Sequence, residues 1–223
     1  MMLSLFRKYG GGLFASPGID MSMPLDSAPY VVIDTELTGL DFRKDSIVSV
    51  GALRMTGTRI ELSRPFYEVV RPSTEMTSKS IVIHEITHSE TEHKPGIEGI
   101  MEGFLRFCEG AMIVGHFISL DLRFLAKEMK RIGFGSLKNP AVDTCIIHEW
   151  MSQNRGDLSS RYFNGSESKD LFSLAKKFDV QVQGAHNALM DAYVTAQLFQ
   201  RFIIMLIRLG VRTLRDLLRI GKP

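Results

Sequence analysis

Residues 30 to 70 carry three apolar runs in succession, YVVIDTE, SIVSVGALRM (46–55) and RIELSRPFYEVV (59–70). Their composition and alternation are those of strands, and the short turn around Thr56, Gly57 and Thr58 makes the last two a hairpin. Beyond Pro72 the pattern changes. The stretch from residue 81 begins irregularly, and then Ile97, Ile100, Met101, Phe104, Leu105 and Cys108 recur at helical spacing up to Gly110. AMIVGH (111–116) is a compact apolar strand, residues 119–132 are an amphipathic helix, and AVDT (141–144) is a short strand whose Asp143 or Thr144 caps the next helix. Polar residues 153–170 read as a surface loop. LFSLAKKF is helical, and residues 187–209 form one long helix closed by Gly210. Three strands, helix, strand, helix, strand, then helices can be assembled as a mixed sheet of about five strands with helices on its faces. The expected fold class is therefore α/β.

The chain of 223 residues suits one domain with a substantial core. We expect an appended arm over residues 1–28, a main domain over 29–209 and a basic helix over 210–223, where Thr213 and Asp216 resemble a capping box. The net charge of +2 is unlike that of a protein coating duplex nucleic acid. It is unevenly spread: residues 201–223 hold six basic side chains against Asp216, which leaves the rest of the chain at −3. An acidic body with a basic end suits a metal site plus a polyanion or partner contact; a solvated helix face is the alternative. Cys108 and Cys145 make no disulfide framework, so the expected setting is the cytoplasm. No apolar signal segment follows Arg7 and Lys8, and FIIMLI (202–207) is too short to span a bilayer, so no membrane contact is expected.

The chemistry lies in the acids. Asp34 and Glu36 stand two apart at the end of the first strand, and strand alternation sends both to one face. Two like charges so close are costly unless a cation lies between them or one holds a proton. A solvated strand end is the plainer reading of that pair. Asp121 follows the strand at 111–116, where a helix-start acid is equally ordinary. Asp191 sits one turn into the long helix among Leu189, Met190, Ala192 and Val194, where an acid needs a partner. His186 stands at that helix's entrance, five residues before Asp191.

DTELTG, GHFISLDLRFL and HNALMDA, in this order, resemble the three motifs of the DEDD 3′–5′ exonucleases. The histidine five residues before the last Asp is similar to that of the DEDDh branch, which includes the proofreading epsilon subunit of bacterial DNA polymerase III, ribonuclease T and oligoribonuclease. The resemblance runs from about residue 30 to residue 199, with softer matches at IHEIT (83–87), AVDT and LFSLAKKF. It implies a ribonuclease H-like fold, in keeping with the element order.

The resemblance also implies roles. Asp34, Glu36, Asp121 and Asp191 would be carboxylate ligands of two Mg²⁺ or Mn²⁺ ions, and His186 the general base. Oxygen-rich sites suit these ions, which clamp the attacking and leaving oxygens of a phosphodiester. Leu37, Thr38 and Gly39 would meet the terminal nucleotide, and His84 the substrate strand. The expected activity is hydrolysis at the 3′ end of single-stranded DNA with release of 5′-mononucleotides, and a DNA polymerase subunit is the candidate protein partner. An RNA-end exonuclease is the alternative within enzymes; a non-catalytic subunit binding nucleic acid or polymerase is the alternative outside them. The pattern departs from the family at Phe117, where an Asn is usual, and at Leu120, where an aromatic is usual; Phe117 lacks the hydrogen bonds of Asn, which bears on how Asp121 is oriented.

Overall fold

A computed structural model describes residues 18–159, 162–163, 168–182 and 186–223. The first seventeen residues of the expected arm, and residues 160, 161 and 164–167 of the expected loop, lie outside it. The sheet is built from β1 (Pro29–Leu37), β2 (Ile47–Thr56), β3 (Arg59–Val69), β4 (Met112–Gly115) and β5 (Ala141–Asp143), in the spatial order β3-β2-β1-β4-β5. β1–β2 and β2–β3 are antiparallel, as a hairpin connection requires; β1–β4 and β4–β5 are parallel, each reached through a helix. The described helices are α1 (Ser78–His84), α2 (His88–Thr91), α3 (Ile97–Cys108), α4 (Ser119–Arg131), α5 (Thr144–Gln153), α6 (Leu171–Lys177), α7 (Ala188–Arg208) and α8 (Leu214–Gly221).

The central strand β1 sorts its side chains by parity. Tyr30 and Val32 enter a core with Val194, Leu198, Phe199 and Phe202 of α7, together with residues of α5, α6 and α8. Val31, Ile33 and Leu37 enter a second core with Phe104 of α3 and Phe124 of α4. The two helical layers are thus separated by the sheet.

The expected irregular stretch from residue 81 holds the end of α1 and all of α2. Their start signals are short: Thr77 accepts the Ser80 backbone N–H, and Thr87 with Glu90 forms a capping box. The boundaries expected at residues 28 and 209 mark no break in packing. Leu25 N–H donates to Arg212 O at 2.9 Å, and the Leu214 and Arg215 N–H groups donate to Met23 O and Met21 O. Leu25, Leu214 and Leu217 are fully buried in the α7-side core. Among the described residues no helix is long and apolar enough to cross a membrane.

Candidate functional site

Asp34 and Glu36 leave β1 on the α7 side, and three local features bring Asp191 to meet them. Asp34 pairs in register with Gly51 of β2. A Cβ at Gly51 would lie 2.3 Å from Ala188 C and Leu189 N, so only glycine lets the start of α7 press against the sheet here. Asn187 caps α7, its Oδ1 accepting from the Leu189 and Met190 N–H groups at 3.1 and 3.3 Å. The Asn187 Nδ2 donates to Tyr67 Oη of β3 at 3.0 Å, which ties the helix entrance to the sheet edge. One oxygen each from Asp34, Glu36 and Asp191 consequently lie within 4.8 Å of one another.

This grouping is electrostatically unfavourable by itself. Two unit charges 4 Å apart repel by about 4 kcal/mol at an effective dielectric of 20. Burial, and then the neighbouring carboxylates, hold Asp34 well above the usual carboxylate range. Burial followed by Asp191 and Asp121 pushes Glu36 up to about 8. Burial pushes Asp191 up to about 6 against the opposing pull of His186. The buried Asp191 Oδ1 has no hydrogen-bond partner among the described residues. An all-oxygen cluster with a buried, unpartnered acceptor fits a hard divalent cation, whose charge would remove the repulsion.

Asp121 arrives from the other layer, on the first turn of α4. Its Oδ1 accepts from Thr35 Oγ1 at 2.5 Å, and Thr35 is the residue between Asp34 and Glu36. This meeting is possible because β4 pairs with β1 only over Tyr30–Val32, which leaves the end of β1 uncovered on that side. Burial raises Asp121 to about 7 although the Thr35 hydroxyl opposes the shift. Asp121 adds to the repulsion felt by Asp34 and Glu36 but stands outside the tight group of three. The Phe117 and Ile118 N–H groups donate to the Asp143 carboxylate at 3.2 and 3.0 Å, which fixes the backbone just before the helix that carries Asp121. Asp143 also caps α5 through the Cys145 N–H at 2.8 Å.

His186 is exposed, at a bend with φ 63°, just before the α7 cap. Its backbone N–H and its imidazole both lower the proton affinity of Asp191, so it stands against the cluster. The Phe172 ring of α6 meets the imidazole edge-on, with centroids 5.4 Å apart. An imidazole open to solvent beside the carboxylates can take a proton from a water molecule there.

The turn after the acids begins with two buried residues. Leu37 is mostly buried in the α4-side core. Thr38 has no exposed surface: its hydroxyl donates toward Asp45 Oδ1 or Thr74 Oγ1, both at 3.1 Å, and accepts the Ser46 N–H at 3.0 Å. Its own N–H donates to Ser46 O at 2.9 Å. Thr38 therefore holds the 38–46 loop closed, and its hydroxyl is not free to meet a sugar. A Cβ at Gly39 would lie 2.4 Å from Asp45 Oδ2, so a side chain there would displace the Asp45 carboxylate. His84 ends α1 buried, its Nδ1 accepting the Ile86 N–H at 3.1 Å and its Nε2 without a partner among the described residues; burial lowers its proton affinity. It does not join the carboxylate cluster. Of the residues that assemble the site, Thr35 and Asn187 lie inside DTELTG and HNALMDA, whereas Gly51 and Tyr67 lie in none of the three motifs.

Residues 31–199 match the family model described as Exonuclease, the RNase T family. The chain is 33% identical over 190 residues to the PolC-type DNA polymerase III of Thermotoga maritima, covering 85% of this chain and 13% of that protein. It is 29% identical over 174 residues to the DNA polymerase III subunit epsilon of Aquifex aeolicus, covering 78% of this chain and 80% of the subunit. Among solved structures, E. coli Exonuclease I in complex with a dT13 oligonucleotide superposes with a TM-score of 0.70 at 17% identity, over 82% of this chain and 42% of that one. That likeness is one of fold: a mixed five-stranded sheet flanked by helices, as in ribonuclease H-like exonucleases.

Proposed function

The chain belongs to the RNase T exonuclease family, and from that membership we propose that it is a metal-dependent 3′–5′ exonuclease acting on single-stranded DNA. The observation that carries the proposal is the convergence of Asp34, Glu36 and Asp191 within 4.8 Å, with the Asp191 Oδ1 unpartnered among the described residues. Asp34, Glu36 and Asp191, with Asp121 beside them, would hold two Mg²⁺ or Mn²⁺ ions. When bound, such ions polarise the phosphoryl oxygens and make water more acidic.

The residues of the chain supply the rest. Asp34 and Glu36 fix the charge of the site on the rigid central strand, and Asp191 closes it from α7. Thr35 keeps Asp121 turned toward the cluster. His186 accepts the proton of the attacking water at its imidazole. A P–O bond to water forms as the P–O3′ bond of the penultimate nucleotide breaks, leaving a 3′-hydroxyl on the shortened strand and a 5′-mononucleotide. Leu37, Gly39 and His84 are assigned to the wall that receives the strand end, with Thr38 shaping that wall from inside.

DNA is preferred over RNA as the substrate because the Thermotoga and Aquifex relatives are named as DNA polymerase III proteins and the E. coli structure holds a dT13 oligonucleotide. The same relatives support a polymerase subunit as the partner, in the cytoplasm. We assign residues 29–209 to the exonuclease domain, with residues 18–28 and 210–223 docked on it. The test is digestion of 5′-labelled DNA and RNA oligomers, side by side, with Mg²⁺ and with Mn²⁺. A ladder shortening from the 3′ end, faster on DNA and absent in Asp34→Ala, is expected. A wild-type protein that is inactive with both metals refutes the nuclease reading and favours a binding subunit.

A further inference from the structure

Phe117 combines two features that each disfavour the folded state. Its ring is 51% exposed, and its backbone lies in the left-handed region at φ 53°. A bulky residue with a Cβ rarely adopts that conformation, whereas Asn adopts it readily. A lone apolar side chain on a surface is ordinary. One held there on strained backbone is not, because strain of this kind persists only where the surroundings enforce it and collects at functional sites.

The enforcement is visible. The buried Asp143 carboxylate accepts from the N–H groups of Phe117 and Ile118, so the backbone cannot relax. The His116 ring meets the Phe117 ring with centroids 4.6 Å apart. That imidazole is itself fixed at both nitrogens, by Thr144 Oγ1 and Lys169 O, each at 2.8 Å. The Phe117 ring is thus backed by a rigid neighbour and open to solvent elsewhere.

Its location gives the exposed ring a use. Phe117 O accepts the Leu120 N–H at 3.2 Å, so Phe117 stands at the N-terminal end of the helix whose first turn carries Asp121. The Lys169 carbonyl that fixes His116 precedes Asp170, which caps α6, and α6 carries the Phe172 ring that packs on His186. Phe117 and the proposed general base are therefore linked through one run of packed groups.

We propose that Phe117 is a stacking platform for a nucleobase of the bound single strand. This rests on the nuclease reading and adds to it a contact of this chain's own, since every base offers a π-face and stacking on an aromatic ring is tolerant of sequence. Holding the base beside Asp121 would steady the strand over the carboxylates without touching the scissile phosphate. Loss of the ring should therefore act on KM rather than on kcat.

Phe117→Asn separates this role from a structural one. Asn relieves the backbone strain, so the melting temperature should rise, while KM for an oligodeoxythymidylate should increase about tenfold with kcat nearly unchanged. Phe117→Trp in a Trp150→Phe background gives a single indole, Trp150 being the chain's one tryptophan. Its fluorescence should be quenched by the same oligonucleotide with Ca²⁺ replacing Mg²⁺. Scanning one abasic nucleotide along the strand should abolish the difference between wild type and Phe117→Asn at one position. An unchanged KM in Phe117→Asn together with an unquenched indole overturns the platform. If the wild type cleaves no oligonucleotide, it is the nuclease reading that fails; if it cleaves and Phe117→Asn matches its KM, only the platform does.

Discussion

Thr35 donates a 2.5 Å hydrogen bond to Asp121, and in doing so it joins two layers that the sheet otherwise keeps apart. Asp34 and Glu36 face α7, whereas Thr35, by parity, faces the side of α4. The fourth acid therefore reaches the site around the uncovered end of β1 and is held there by Thr35, the β1 residue between Asp34 and Glu36. Thr35→Val keeps the shape and removes the hydroxyl. Residues that orient ligating carboxylates typically change activity by about 10–100-fold when lost. A drop of that size in kcat, with a melting temperature near that of the wild type, is the expected outcome; full activity would detach Asp121 from the chemistry.

Gly51 allows the start of α7 to lie against β2 with no room for a methyl group. Gly51→Ala must push Ala188 and Leu189 away and carry Asp191 with them. Overpacking of this kind destabilises by about 1–3 kcal/mol, or roughly 2–10 °C for a chain of this size. Calorimetry should show that loss, and nuclease assays a larger proportional loss. A normal melting temperature would mean the helix start is freer than its Asn187 cap and Tyr67 tie suggest.

Crowded acids make metal and pH act together. Burial and mutual repulsion raise Asp34 well above its ordinary value, Glu36 to about 8, Asp121 to about 7 and Asp191 to about 6. An acid whose folded pKa is raised binds more protons folded than unfolded, so stability falls as pH rises through the window between the two. In EDTA the melting temperature should therefore fall from about pH 4 to about pH 8, the range these shifts define. Saturating Mg²⁺ binds the charged form, so its stabilising effect should be larger at pH 8 than at pH 5. A metal-free melting temperature that climbs over that range contradicts the cluster.

The same repulsion sets stability against function at Asp34. Asp34→Asn removes one of the crowded charges from the most strongly perturbed position. In EDTA at pH 8 this variant should melt several degrees above the wild type, while its hydrolysis falls to background. A variant that is both inactive and less stable would show that Asp34 holds the fold rather than a cation.

The sheet was legible because strand and helix periods alternate cleanly, and β1 to β5 and the long helix fall where those periods place them. Asp34, Glu36 and Asp191, which meet in the structure, drew notice through the order of the three motifs, since a solvated strand end accounts for the first two taken alone. Less of their surroundings could be read. Thr38 looks like a surface turn residue, yet its partners Asp45, Ser46 and Thr74 become neighbours only when the loop folds back. Gly51 resembles any glycine in a strand until a helix 137 residues later is laid on it. Short capped turns such as α1 and α2 have too few residues for a period to emerge.

The basic end yields the last prediction, and here packing decides between tail and scaffold. Arg212, Arg215 and Arg219 are exposed, whereas Leu214 and Leu217 between them are fully buried beside Leu25. Truncation before Arg212 removes both leucines and the partners of the 21–25 segment. Losing one buried Leu side chain costs about 2–5 kcal/mol. The truncated chain should therefore melt roughly 10 °C or more below the full one, at about 2–4 °C per kcal/mol. Replacing the three arginines with Gln should leave the melting temperature within a few degrees and lower the salt sensitivity of oligonucleotide binding if these side chains touch phosphates. A truncated chain as stable as the full one would make α8 an appendage after all.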